Sequence, residues 1–244
     1  MQMRNLLEKK PVLHAILWII LYIAAVNVGD IVSGTTGITC LTGVILIVLS
    51  IVLFLYLKKT QRLTYYGICK VTAQDARRAL LYIPLAVLAF IQLLSGVPRT
   101  TTLADVAVSC LLMIGTGFIE EVIFRGLLYQ SIAQRRGIVA AIPISGITFG
   151  LGHIVNLLRG YTSTVQAEQI VTAIVIGIAL AMLVAITRSI IPGILFHIMF
   201  NITGTITDTN GNAQTRLLIA ILAIGVLYTV WLIKFLPKKK KQRK

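Results

Sequence analysis

Long apolar stretches separated by short polar connections dominate the chain. A membrane-spanning helix needs about 20 mostly apolar residues. Eight stretches approach or exceed that length, at residues 12–29, 40–57, 79–96, 103–124, 138–157, 169–187, 190–207 and 216–236. The pattern predicts an all-α, polytopic membrane protein with about eight transmembrane helices.

The apolar stretches run almost from end to end and leave no room for a separate soluble domain. Residues 1–244 are therefore interpreted as a single integral membrane domain, with a motif-bearing core at about 103–207 and a basic cytoplasmic tail at 237–244. The first stretch is interpreted as a retained span and not a signal peptide, because no convincing small-x-small cleavage site follows it.

Composition supports the membrane class. Hydrophobic residues make up 57% of the 244 residues and charged residues only 13%, whereas soluble domains carry about 25% charged residues. In a soluble protein the net charge of +15 would suggest nucleic acid as a partner. Here the basic residues lie between apolar stretches, so the lipid bilayer is the expected partner and nucleic acid is not. The cysteines are interpreted as three isolated thiols: Cys40, Cys69 and Cys110.

The distribution of Lys and Arg predicts the orientation. Eight spans with both termini inside place 20 of these residues on the cytoplasmic side, and this count puts Arg125 in the connection after the fourth span. The outer side keeps Arg99, Arg159 and Arg216. Such a bias follows the positive-inside rule, and it predicts a multi-pass cell-membrane protein with both termini in the cytoplasm.

A few polar residues inside the spans have no topological explanation. Ionisable groups at membrane depth are costly and point to function by default. Those that remain are Glu120, Glu121, Arg125, His153, His197 and Asn201.

The first polar motif places two acids and one base near the end of the fourth span. Adjacent helical residues point about 100° apart, so Glu120 and Glu121 cannot share one direction. Glu121 and Arg125 are separated by four residues and can form an ion pair. Glu120 is then left to face a polar cavity as a candidate general base. The competing interpretation is a pair of interfacial acids balanced by Arg125.

The second and third motifs place histidines on two further spans. Phe149 and His153 lie on one helix face, as do His197 and Asn201. Gly146 and Gly150 would allow close helix approach near His153. Either histidine alone could be a packing residue or an interhelical clamp. The combination of Glu, His, and His with Asn on three spans favours an active site inside the helix bundle.

These motifs resemble those of the CPBP family, also called the CAAX protease and bacteriocin-processing or Abi family. The order Glu-Glu-x-x-x-Arg, Phe-x-x-x-His and His-x-x-x-Asn is complete over roughly 103–204. The family includes the Ras-converting CAAX endopeptidase. An eight-span layout also resembles the family fold.

The resemblance implies hydrolysis of peptide bonds inside the membrane, on membrane-associated peptides or protein C-termini. It implies that Glu120 and His153 activate a water, while His197 and Asn201 stabilise the oxyanion. Glu121, Arg125 and Phe149, which match the family motifs, would support the site.

Two mechanisms use the same residues. In the favoured one no cofactor is needed. In the alternative, a zinc ion is held by Glu120, His153 and His197 with one position open, although no HExxH motif is present.

The depths of the motifs pose a geometric problem. A fifth span that starts at Gly137 puts His153 about 24 Å deep, whereas Glu120 is expected near the inner face. The interpretation that removes the conflict lays part of 126–142 along the inner surface as an amphipathic stretch. The fifth span then enters near Pro143.

The sequence suggests three alternative functions. A non-catalytic bacteriocin self-immunity protein is compatible with the resemblance, because family members are linked to immunity. A transporter or proton relay predicts paired polar motifs in two halves, but the polar residues cluster after residue 103. A bis-histidine haem protein leaves Glu120 and Asn201 without a role.

Overall fold

The computed structural model of the protein describes residues 2–69, 80–159, 163–207 and 212–237. Every regular element within these ranges is helical. Part of the predicted basic loop at 58–78, with Lys70, Arg77 and Arg78, lies outside the described residues, as do residues 238–244 of the predicted tail.

Ten α-helices can be numbered along the described chain. They are α1 (Gln2–Lys9), α2 (Pro11–Thr36), α3 (Leu41–Lys59), α4 (Ile83–Phe90), α5 (Leu103–Glu121), α6 (Tyr129–Arg136), α7 (Ile138–Gly152), α8 (Ser163–Thr187), α9 (Ile191–Ile206) and α10 (Asn212–Leu232). A π-helical turn, Val122–Leu128, joins α5 to α6, and 3₁₀ turns flank α4 and follow α7 and α10.

Six helical segments among the described residues are long and apolar enough to cross a membrane. They are Pro11–Thr36, Leu41–Lys59, Leu103–Arg136, Ile138–Asn156, Gln166–Thr187 and Gln214–Phe235. Two shorter apolar segments, Leu80–Ser95 and Ile191–Ile206, accompany them. Large apolar side chains such as Ile20, Leu94 and Leu227 face outward, as expected where lipid is the solvent. The prediction of an all-α, multi-pass membrane protein is confirmed.

The fourth span is longer than the sequence pattern predicted. It was expected to end at residue 124, but the helix continues through the π turn to Arg136, over 34 residues. Arg125 lies inside it and is 0% exposed. The assignment of Arg125 to a cytoplasmic connection is therefore wrong. The charge bias survives, because the other basic residues of that connection, Arg135 and Arg136, are exposed.

The extended helix removes the conflict of depths. The chain reverses at Gly137, whose φ of 81° suits glycine, and α7 begins directly at Ile138. Glu120 precedes Gly137 by 17 residues and His153 follows it by 16, so each lies about 25 Å of helical rise from the reversal. The two side chains reach the same depth on antiparallel helices.

The prediction that part of 126–142 lies along the inner membrane surface is therefore also wrong. The fifth span does not enter near Pro143, which lies within α7. Leu127, Leu128 and Ile132 are buried, so this segment packs inside the protein and does not lie on the membrane surface.

Glycines bring the site-bearing helices together. A Cβ atom at Gly146 or Gly150 of α7 would lie 2.6 or 2.3 Å from Cγ1 of Ile178 or Ile174 on α8. A Cβ atom at Gly117 of α5 would lie 2.7 Å from Cγ1 of Ile198 on α9. Small residues at these points allow backbone approach, which sets the spacing of the helices that carry Glu120, His153 and His197.

Candidate active site

Glu120 occupies the last turn of α5, just before the π-helical turn. Turns of this kind inside α-helices are frequent at functional sites. The side chain is buried, and the Tyr22 hydroxyl of α2 donates a hydrogen bond to its Oε1. Its Oε2 lies 3.2 Å from Nε2 of His197 on α9. Both carboxylate oxygens are thus oriented by groups from two other helices.

Glu121 and Arg125 form a fully buried ion pair. Arg125 Nη1 donates to Glu121 Oε1 over 2.7 Å, and both side chains are 0% exposed. The guanidinium carbon also lies 4.1 Å from the centre of the Phe149 ring, a cation–π contact that is stronger when desolvated. Within the described ranges, Arg125 Nε and Nη2 have no hydrogen-bond partner. Glu121 and Phe149 therefore compensate the positive charge of Arg125. The ion pair predicted from the spacing is present.

His197 lies between the two carboxylates. Its Nδ1 is 3.0 Å from Glu121 Oε1, opposite the contact of Nε2 with Glu120. The two acids do point in different directions, as the helical angle predicted, and one imidazole spans the gap between them. This contact joins the ion pair to Glu120 through a single ring.

His153 lies at the start of the 3₁₀ turn that follows α7. Its Nδ1 is 3.1 Å from the backbone oxygen of Phe149. A carbonyl oxygen can only accept, so Nδ1 is the donor in this contact, and in the neutral form of the ring Nε2 is then the acceptor. The Phe149 ring makes edge contacts with both histidines, at centroid distances of 5.1 Å to His153 and 5.6 Å to His197.

Two adjoining cavities meet at this cluster. Glu120, His153 and Asn201 line the larger, of about 590 Å³, together with Tyr22. His153 and Asn201 also line the smaller, of about 320 Å³, as does His197. The structure thus brings all four predicted catalytic residues to one place. The three predicted supporting residues are there too: Glu121 and Arg125 behind the cavity wall and Phe149 within it.

The geometry of the site does not fit a zinc ion held by Glu120, His153 and His197. In the parts of the chain that the structure describes, no three His, Cys, Asp or Glu side chains are grouped so as to hold a metal ion. Glu120 and His197 contact each other directly, and the second nitrogen of His197 faces Glu121. The mechanism proposed for these residues therefore uses no metal ion.

Two site residues escaped the sequence reasoning. Tyr22 belongs to a span in which no functional residue was expected. Gln92, after α4, lines both cavities and donates from Nε2 to the backbone oxygen of Phe200 over 2.6 Å. The available signal was weak: Asn27 and Asp30 on the same helix as Tyr22 also line the larger cavity, but acids near a span end are usually explained by topology.

The helical bundle and its buried acid–histidine cluster define a multi-pass membrane protein with an internal polar site. The model of the family described as Rce1-like, type II CAAX prenyl endopeptidase, matches residues 102–203. This match confirms the resemblance to the CAAX protease (CPBP) family that was inferred from the motifs. The match contains all four predicted catalytic residues. No curated protein and no solved structure matches the chain.

Proposed function

We propose that the protein is an intramembrane endopeptidase that hydrolyses peptide bonds of membrane-associated peptides or protein C-termini. The observation that carries this proposal is the convergence of Glu120, His153 and Asn201 on one cavity. The family description supports a protease and does not favour the immunity function.

The larger cavity provides space for a water and a peptide bond beside Glu120. Glu120 accepts a proton from the water while the His153 Nε2 lone pair orients it, and the water oxygen attacks the carbonyl carbon. The tetrahedral intermediate then collapses. The carbon–nitrogen bond breaks as Glu120 returns the proton to the leaving amine.

Asn201 and His197 provide for the oxyanion. Asn201 lines both cavities one helical turn beyond His197, where its amide can donate to a developing negative charge. His197 takes the oxyanion role implied by the resemblance only after its Nε2 leaves Glu120. Before that step it holds the two carboxylates apart.

The two cavities suit a chain that passes through the site. Amide and hydroxyl groups of Asn27, Thr116 and Asn156 line the larger one. Ile176 and Leu217 are among the apolar side chains of the smaller one. His153 and Asn201 lie at their junction, which suits cleavage within a chain.

We also propose that all eight apolar segments cross the cell membrane, with both termini in the cytoplasm. The basic connections support this, because they meet at one end of the bundle. Tyr65 donates to Gln134 over 2.8 Å, and Ile190 N donates to Gly67 O over 2.8 Å. The N-terminal segment joins them, since Arg135 Nη2 donates to Lys9 O over 3.2 Å.

A comparison of membrane peptides tests the function. Cells carrying the native protein or Glu120→Ala are compared by mass spectrometry. We expect at least one uncleaved peptide or protein end to accumulate in the variant, with its two fragments present only in the native cells. Identical peptide profiles at equal protein levels would contradict the proposal. The accumulating sequence supplies the reporter peptide for the kinetic tests below.

A further inference from the structure

The position of the cavities along the bundle indicates the side from which a substrate reaches Glu120. We call the end where α2 stops at Thr36 and α3 starts at Leu41 the distal end. The proximal end carries Gly137 and the basic connections. Consecutive spans alternate in direction, so every helix has a distal and a proximal half.

The larger cavity is lined almost entirely by distal halves. On α2 the lining runs from Tyr22 to Asp30, towards the end of that helix. On α3 it comprises Thr42 and Leu46, near the beginning. The remaining helices follow the same rule; their lining residues include Leu112, Met113, Thr116 and Glu120 on α5, Gln169 on α8, and Asn201, Gly204 and Thr205 on α9.

The smaller cavity also lies mainly in distal halves, although Phe196 and His197 belong to the first half of α9. Its lining begins at Glu168 and ends at Ile176 on α8, and it includes Gln214–Ile221 at the start of α10. Below the level of Glu120, Phe124 is the only α5–α6 residue that lines either cavity among the described residues. Buried apolar side chains such as Leu127, Leu180 and Ile190 fill the proximal half.

We infer that the substrate enters from the distal end, which is the extracytoplasmic face under the charge bias. This inference rests on the proposed function for its substrate and on the positive-inside rule for its side. The substrate class is then an exported peptide, or the outer segment of a membrane protein. A cytoplasmic chain end meets the packed proximal half and does not reach Glu120.

Cysteine labelling in intact cells tests the side without requiring catalysis. In a background with Cys40, Cys69 and Cys110 replaced by serine, single cysteines are introduced at Thr205, Thr116 and Gln134. The probe is a membrane-impermeant sulfonated maleimide. Thr205 is exposed at the distal rim, Thr116 lies one turn from Glu120 in the larger cavity, and Gln134 is exposed at the proximal end.

We expect Thr205→Cys and Thr116→Cys to react in intact cells and Gln134→Cys only after permeabilisation. Ile114→Cys is the matched control and should not react. This α5 residue is exposed outside the cavity, and a thiol in lipid is not ionised for reaction. Labelling of Thr205→Cys and Thr116→Cys only after permeabilisation would overturn the inference, and so would no labelling of either. Inactivity of the protein with labelling as expected would count against the proposed function alone.

A separate observation assigns a role to Tyr22. Its hydroxyl donates to Oε1 of Glu120 and its side chain lines the larger cavity. We propose that Tyr22 is a positioning residue that fixes the carboxylate of Glu120 towards the bound water. A hydrogen bond to a charged group is among the stronger ones, and the second oxygen of Glu120 is held by His197.

Tyr22→Phe removes only the hydroxyl, and the matched control is Tyr228→Phe. Tyr228 is buried and donates to Leu81 O over 2.6 Å, outside both cavities. With the reporter peptide, we expect Tyr22→Phe to lower kcat by about 10- to 100-fold with little change in KM or Tm. Tyr228→Phe should lower Tm and leave kcat unchanged. A Tyr22→Phe enzyme with kcat within twofold of native, or with a loss of activity that follows its loss of Tm, would overturn the assignment.

Discussion

Arg125 shows what a buried charge needs in this bundle. It has no access to solvent, and its observed compensation is the carboxylate of Glu121 and the face of Phe149. Removing one member of a buried ion pair leaves the other charge uncompensated, which typically costs about 3–5 kcal/mol. We therefore propose that Arg125 supports the site by acting through Glu121 and His197.

Arg125→Ala is therefore expected to lower both the folded yield and the Tm of the detergent-solubilised protein, together with activity. Arg135→Ala is the control, because this arginine is exposed at the end of the same long helix. It should change Tm by little, since exposed charges contribute at most about 1 kcal/mol. Equal Tm values for native protein and Arg125→Ala would show that the ion pair does not support the site.

The metal-free and the zinc-dependent mechanism predict different effects of a chelator on cleavage. We expect the purified protein to cleave the reporter peptide after exhaustive treatment with a tight zinc chelator and without stoichiometric metal. The reason is that no three His, Cys, Asp or Glu side chains among the described residues are grouped so as to hold a metal ion. Loss of cleavage on chelation, with recovery on adding Zn²⁺, would establish the zinc mechanism instead.

At the same scale, the sequence predicted the motif residues but not their neighbours. Glu120, His153 and His197 stand out because charged groups are rare at membrane depth. Tyr22 does not stand out, because tyrosines are common in membrane helices near the interface and only the packing of α2 against the end of α5 reveals its contact. The position of His197 between two carboxylates also depends on helix packing.

Among the elements, the hairpin of the fourth and fifth spans matters most. The sequence pattern predicted that the fourth span ends at residue 124, because Arg125 was counted with Arg135 and Arg136 as a basic residue of the following connection. Burial of the ion pair allows the helix to continue for three more turns. That continuation, not a surface stretch, brings Glu120 level with His153.

The close packing of α7 on α8 can be tested with a matched pair of glycines. In Gly150→Ala the new Cβ would lie 2.3 Å from Ile174 Cγ1 and 2.9 Å from Ile174 N. Because backbone must move, we expect a loss of about 1–3 kcal/mol, measured as a lower Tm. Gly152→Ala introduces the same methyl group 3.9 Å from its nearest neighbour, Phe124, and should keep the native Tm. Equal Tm values for the two variants would contradict the described helix packing.

For the whole molecule, the eight apolar segments and the charge bias predict an alternating topology. Reporter fusions after Gly37 and Gly96 should report the outer side, and fusions after Gln61 and Gly137 the cytoplasm. These positions lie in turns between the helical segments, so a fusion interrupts no span. A cytoplasmic signal at Gly37 would reverse the orientation, and equal signals at Gly96 and Gly137 would remove one crossing between them.

The sequence predicted the overall architecture well because membrane spans are defined by local composition. All eight predicted stretches overlap helical segments. The first runs on to Thr36 over 26 residues, the third contains only an eight-residue α-helix between 3₁₀ turns, and the fourth continues past Arg125. The distal position of both cavities could not be predicted, because it depends on which half of each helix is packed against its neighbours.

Glu120 is proposed to perform the chemistry and not only to pack against its neighbours. Glu120→Gln keeps the size of the side chain and its capacity to accept from Tyr22, but loses the proton acceptor. We predict that reporter-peptide cleavage falls by about 10²- to 10⁴-fold, while the Tm of the same purified sample stays close to native. A folded Glu120→Gln protein that cleaves the reporter peptide at a near-native rate would contradict the account.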